Sequence, residues 1–184
     1  MIHHDMTRNM VLAALFAALT AIGAFLQIPT GTVPITLQFL FTALAGLLLG
    51  WKWGAVSQLL YVGIGLLGLP VFTQGGGIGY VLQPSFGFLL GLIPAAAVIG
   101  ALTARRTGYL TVLAAVLVGD LILYAVGVPY MYLILHVYMQ SAKTFPALLA
   151  AMLVYVPGDT LKIIVVTALA PVLRRTLAKA VPNL

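Results

Sequence analysis

Residues 157–173 read Pro-Gly-Asp-Thr-Leu-Lys-Ile-Ile-Val-Val-Thr-Ala-Leu-Ala-Pro-Val-Leu, from Pro157 to Leu173. An acid, Asp159, and a base, Lys162, stand three positions apart at the head of an otherwise apolar segment. Proline is favoured at the first position of a helix, and i, i+3 spacing puts both charges on one helix face. An ionisable residue at membrane depth costs at least ~2.5 kcal/mol and marks a functional site by default. The stretch therefore predicts a membrane-crossing helix with a polar site at its start.

The rest of the chain agrees with that reading. Only 7% of its 184 residues are charged, against about 25% in soluble domains, and the mean hydropathy is +1.15. Apolar runs of about twenty residues recur, each long enough to cross a hydrocarbon core of about 30 Å. The chain is predicted to be an all-α integral membrane protein, one transmembrane domain over residues 1–184. Six helices are expected over about 9–26, 36–50, 54–67, 84–104, 109–127 and 157–173. Residues 129–155, with Pro129, His136, Lys143 and Pro146, read as a helical region lying near the surface. This layout leaves no room for a soluble catalytic domain, so no enzyme is expected. Cysteine is absent, and His3, His4 and His136 lack metal-ligand spacing. No cofactor is expected. The run Gly75-Gly76-Gly77 is not followed by Gly-Lys-Ser or Gly-Lys-Thr, so ATP hydrolysis by this chain is not expected either.

The net charge of +6 reads as topology, not as a nucleic-acid footprint. An even number of spans puts both termini on one side, with Arg8, Lys52, Arg105, Arg106, Arg174, Arg175 and Lys179. The other side keeps Lys143, plus Lys162 at the mouth of the last helix. The positive-inside rule then makes both termini cytoplasmic. The first span is long and lacks a clean cleavage site, so a removable signal peptide is not expected. The glycine-rich loop, residues 128–156 and the Asp159/Lys162 pair face outward, which suggests a site open to the outside.

Asp159, when ionised, only accepts hydrogen bonds, and Lys162 only donates. Together they suit a small molecule with N–H groups at one end and a carbonyl or carboxylate nearby. The same pair would also serve as a plain helix cap, since negative charge in the first turn favours the helix dipole. Gln38 lies one turn into the second span, and Gln74 and Gln83 flank the glycine loop; buried amides must find partners. Ala13, Ala17 and Ala21, with Ala14 and Ala18 beside them, give the first span small-residue faces that permit close helix packing. Gly46 with Gly50, and Gly87 with Gly91, have the same spacing and are read as intramolecular contacts. Asp120, with Tyr124 one turn on, is expected to be satisfied by Tyr124 or a facing hydroxyl.

Several segments resemble the BioY family, the biotin-specific substrate-capture (S) components of energy-coupling factor (ECF) transporters. Thr32-Val33-Pro34-Ile35-Thr36-Leu37-Gln38 and Ala45-Gly46-Leu47-Leu48-Leu49-Gly50 are similar to its second helix. Gly54 to Tyr61 and Gly65 to Phe72 resemble the third helix and following loop, and Gly79-Tyr80 through Gly91 the fourth. Pro157-Gly158-Asp159-Thr160-Leu161-Lys162 matches the family's Pro-Gly-Asp-x-x-Lys signature. The fourth helix departs from the family's usual Pro-Thr-Gly-Gly, reading Pro84-Ser85-Phe86-Gly87. The resemblance implies a six-helix S component in the cell membrane that binds biotin near the outer surface. It implies that Asp159 and Lys162 are substrate residues and that the glycine loop lines or covers the pocket. Gln38, Gln74 and Tyr80 become secondary contacts on this reading. The alanine face centred on Ala14 and Ala18, with Ala13 and Ala17, would dock on a transmembrane coupling subunit that carries two ATPases. The alternative is a solitary proton-coupled vitamin carrier in which Asp120 or Asp159 titrates; a third class is a membrane scaffold without a ligand.

Overall fold

The computed structural model describes residues 2–30, 33–105 and 108–180. Thr32 and Arg106 lie outside these residues, as do the side chains of His3, His4 and Lys179. The chain is helical nearly throughout. Helix α1 (Ile2–Phe25) leads into two short strands, β1 (Gln27–Ile28) and β2 (Ile35–Thr36), which pair antiparallel with Gln27 opposite Thr36. Helix α2 (Gln38–Leu66), α3 (Phe86–Leu102), α4 (Tyr109–Leu133), α5 (Phe145–Ala151) and α6 (Val156–Ala180) follow.

Helix α2 is folded back on itself at Gly50, whose φ of 77° and ψ of 179° lie in a region open essentially to glycine alone. The two arms run side by side. A methyl group placed on Gly54 would meet the Gly46 Cα at 2.8 Å, and Gln38 reaches Tyr61 across the pair. A straight helix would hold Gln38 and Tyr61 about 35 Å apart. The second and third spans expected from the sequence are thus the arms of this hairpin, with the reversal at Gly50 and no separate turn at residues 51–53.

The region expected to lie on the surface is built differently. Helix α4 passes through Pro129 and continues to Leu133, and a widened turn, Ile134–Tyr138, prolongs it. Proline removes one backbone hydrogen bond, and neighbouring helices in a membrane protein offset that loss. Val128 and Met131 are buried against Leu148 and Met152 from the following segments. The chain turns at Gln140, the one non-glycine with positive φ among the described residues. Only α5 and the single turn Met152–Val154 remain as short helix in this region.

Helix α1 packs beside α2, α2 beside α3, and α3 beside α4, while α6 lies across α4 and α2. Close approach depends on small residues: Gly46 abuts the Ala96 carbonyl, and Gly91 abuts Leu123. Gly46, Gly87 and Gly91 are therefore used for packing within the chain, Gly87 against Tyr130, whereas a Cβ on Gly50 would meet open space. At the end away from β1 and β2, Arg174 of α6 donates to the Leu47 carbonyl from Nε and Nη2 (3.1 and 2.7 Å) and to the Thr103 carbonyl (3.4 Å). Carbonyls at helix C-termini lack intrahelical partners, so one guanidinium closes the ends of α3 and the first arm of α2. The outer surface is apolar, with Leu15, Ile22, Leu121, Leu161, Ile164 and Val172 all exposed. By length and composition α1, α4 and α6 can each cross a membrane.

Candidate binding site

The first turn of α6 starts where the Tyr155 carbonyl accepts from the Asp159 amide at 2.9 Å. One turn later Lys162 brings its ammonium to 2.6 Å from Asp159 Oδ1. The pair is only 7% and 8% exposed, and buried charges persist only when paired and hydrogen-bonded. Helix α4 and strand β2 supply the direct partners, and α2 extends the network. The Tyr124 hydroxyl of α4 donates to Asp159 Oδ2, and Lys162 Nζ donates to the Thr36 carbonyl of β2 at 3.2 Å. Thr36 Oγ1 donates to Gln38 Oε1 at 2.9 Å, and Gln38 Nε2 donates to the Tyr61 hydroxyl at 2.7 Å. Tyr61 passes the chain on to the Val71 carbonyl at 3.1 Å.

Asp159, Lys162, Tyr124, Thr36 and Gln38 line one cavity of about 70 Å³. Asp159, Lys162, Thr36 and Gln38 form its polar wall, while Phe39, Phe88, Leu89, Leu92, Leu123 and Met152 form apolar walls. Tyr80 closes another side, its hydroxyl 2.9 Å from Thr73 Oγ1 and 3.4 Å from Ser85 Oγ. The carboxylate has roughly four lone-pair positions, of which Lys162 and Tyr124 occupy two; the ammonium has one N–H left after Asp159 and Thr36. The pair does more than cap α6: it brings spare acceptors and a spare donor to the wall of this cavity.

The structure brings together Asp159, Lys162, Gln38 and Tyr80. It leaves Gln74 out. Phe72 and Gly75 exchange backbone hydrogen bonds (2.9 and 3.3 Å), which makes Thr73 and Gln74 the tip of a tight turn. Thr73 lines the cavity and Gln74 is exposed. Phe86 is buried one layer behind the cavity, against Tyr80 and Tyr130.

The alanines of α1 divide. Ala13 and Ala17 are buried against the core, although Ala17 still lines the groove that runs beside it. Ala14 and Ala18 lie on the exposed face and line an apolar groove with Leu60 and Ile64. The expectation for Asp120 is also corrected. Tyr124 gives its hydroxyl to Asp159, and Asp120 Oδ1 is buried without a hydrogen-bond partner among the described residues.

Tyr124, Thr36 and Tyr155 also line the cavity, beyond the residues expected from the sequence. The signal for Thr36 was its place in Pro34-Ile35-Thr36-Leu37-Gln38. Tyr124 carried no separable signal, since its partner lies 35 positions away.

Comparison with known proteins places this architecture. Residues 1–179 match the model of the BioY family. The chain is 52% identical over 147 residues to a probable biotin transporter of Lysinibacillus sphaericus, covering 79% of this chain and 75% of that one. It is 39% identical to a biotin transporter of Rhodobacter capsulatus, covering 97% of both, and 35% identical to one of Thermotoga maritima, covering 89% and 94%. Its fold matches the solved S-component for biotin from an ECF-type ABC transporter, with a TM-score of 0.83, 29% identity and 95% of each chain covered. An α-helical membrane bundle with a charge-paired cavity and this set of relatives is a member of the BioY family.

Proposed function

We propose that the chain captures biotin and takes part in its uptake as the substrate-binding S component of an ECF-type transporter, without catalysing a reaction. The observation that carries this reading is the buried Asp159–Lys162 pair with unused hydrogen-bonding capacity on the cavity wall. The ureido group of biotin has two N–H donors and one carbonyl acceptor. Asp159 accepts from the N–H groups, and the free N–H of Lys162 donates to the ureido oxygen. The apolar walls take the thioether ring and aliphatic tail, and Gln38 and Tyr80 supply further polar contacts; Gln74 would contribute only if the loop tip moved inward. A cavity of about 70 Å³ is narrower than small-molecule sites of roughly 300–1,000 Å³, so biotin enters by parting the walls.

Lys52, Arg105, Arg174 and Arg175 fall at the end of the bundle away from the cavity. The positive-inside rule makes that end, with both termini, cytoplasmic and turns the cavity outward across the plasma membrane. The partners are a transmembrane coupling subunit and two ATPase subunits, which use the ATP; the groove with Ala14 and Ala18 is the docking face. The test is equilibrium biotin binding by the purified chain in detergent. The wild type binds, and Asp159→Asn loses most of its affinity; full affinity in that variant removes the pair from the site. Replacing Ala14 and Ala18 by leucine is expected to stop ATP-driven uptake and leave biotin binding intact.

A second reading, a solitary proton-coupled carrier, draws on the unpartnered oxygen of Asp120. It predicts uptake by the chain alone in vesicles, collapsing with the proton gradient and abolished by Asp120→Asn.

A further inference from the structure

Two surface depressions share a wall with the cavity, and they differ in chemistry. The first lies between the end of α1, the β1–β2 pair and α6, and meets the cavity at Ile35, Thr36 and Lys162. The rest of its lining is almost wholly apolar, and the charge of Lys162 is already neutralised by Asp159. The second lies beside α5 and meets the cavity at Met152 and Tyr155. Its lining includes Thr30, Tyr155 and Lys143. Lys143 is exposed, and its ammonium forms no hydrogen bond or ion pair among the described residues. The other exposed cations whose side chains are described, such as Lys52, Arg105 and Arg175, sit toward the opposite end of the bundle.

We infer that the depression beside α5 is the vestibule through which an anionic ligand reaches the cavity, and that Lys143 steers the ligand's carboxylate into it. The inference rests on the proposed function. Biotin is charged at one end only: the ureido ring is neutral and the tail ends in a carboxylate. The ring belongs at Asp159 and Lys162, which leaves the carboxylate on the outer side. An uncompensated cation acts over about 10 Å at ordinary ionic strength, and a charge outside the final site changes the association rate more than the residence time. The apolar depression offers a carboxylate no such attraction and would strip its hydration without return. Met152 and Tyr155 are the partition. Tyr155 is tied back by its hydroxyl to the Val33 carbonyl and to Thr30 Oγ1 (3.1 Å), which leaves Met152, a flexible side chain, as the element that yields.

The experiment compares association rates of biotin and of biotinamide, which keeps the ring and tail but loses the charge. The purified full chain in a non-ionic detergent is measured as wild type, Lys143→Gln and Lys143→Glu, at low and high ionic strength. For biotin at low salt, the association rate is expected to fall about threefold in Lys143→Gln and about tenfold in Lys143→Glu, with dissociation unchanged. Biotinamide is expected to associate equally fast with all three, and high salt is expected to erase the differences for biotin. An equal slowing of the amide, or an unchanged biotin rate in Lys143→Glu, overturns the inference while leaving the functional reading in place. A wild type that binds neither compound removes the functional reading, and this inference with it.

Discussion

Two buried polar clusters lie side by side in this bundle, and they are finished differently. Around Gln58, which is wholly inaccessible, every polar group is matched. Gln58 Oε1 accepts from Thr42 at 2.9 Å, and its Nε2 donates to Ser57 at 3.0 Å and to Thr20 at 3.3 Å. The Ser57 and Thr20 hydroxyls donate in turn to the carbonyls of Gly54 and Phe16. The cluster joins α1 to both arms of α2, and none of its side chains lines the cavity beside Asp159. Around Asp159 the bonds also cross between helices, but the carboxylate and the ammonium keep spare valences on the wall of a cavity. Polar groups within a membrane bundle are therefore not equivalent evidence of a site. A network that closes on itself is a fastening; one with capacity left over is a receptor. Gln38 and Tyr61 stand between the two, bonded into the second and within one turn of the first.

Variants that break this contrast should do so in a set order. Lys162→Ala should have the largest effect, weakening biotin binding by about 3–5 kcal/mol because Asp159 is left buried without its counter-charge. Calorimetric titration measures it, and loss of the folded protein instead would show that the pair is a fastening too. Gln58→Leu should lower stability by about 1–3 kcal/mol, the cost of stranding buried hydroxyls. It should leave the affinity of the folded fraction within about twofold; thermal unfolding in detergent and biotin titration read the two effects separately. A large loss of affinity would mean that the closed cluster also shapes the cavity. Tyr124→Phe should have the smallest effect, weakening biotin binding by about 1 kcal/mol through loss of one donor to Asp159. Unchanged affinity there would mean that the ligand supplies the missing donor itself.

Much of this was legible before any coordinates. The Asp159–Lys162 pairing follows from three residues of helix, and Gly50 lies where the apolar runs of α2 divide. Pro129 misled, because a proline that breaks an isolated helix can be carried by one whose far side is packed, here by Val128 and Met131 against Leu148 and Met152. Gln74 misled because a side-chain amide advertises hydrogen bonding whether or not it turns inward; the Phe72–Gly75 turn gave that place to Thr73.

The sequence by itself determined the membrane bundle, the shared face of the acid and base, and the small-residue stripes on α1. All three depend on the apolar content and the periodicity of single helices, which any one segment carries alone. Tertiary structure decided which stripe turns outward, why Tyr124 serves Asp159 and leaves Asp120 Oδ1 unpartnered, and that Lys162 reaches back to Thr36 across 126 positions. Those outcomes depend on the rotation and depth at which one helix packs on another. That geometry is set by many side-chain contacts at once, and no local stretch of the chain encodes it.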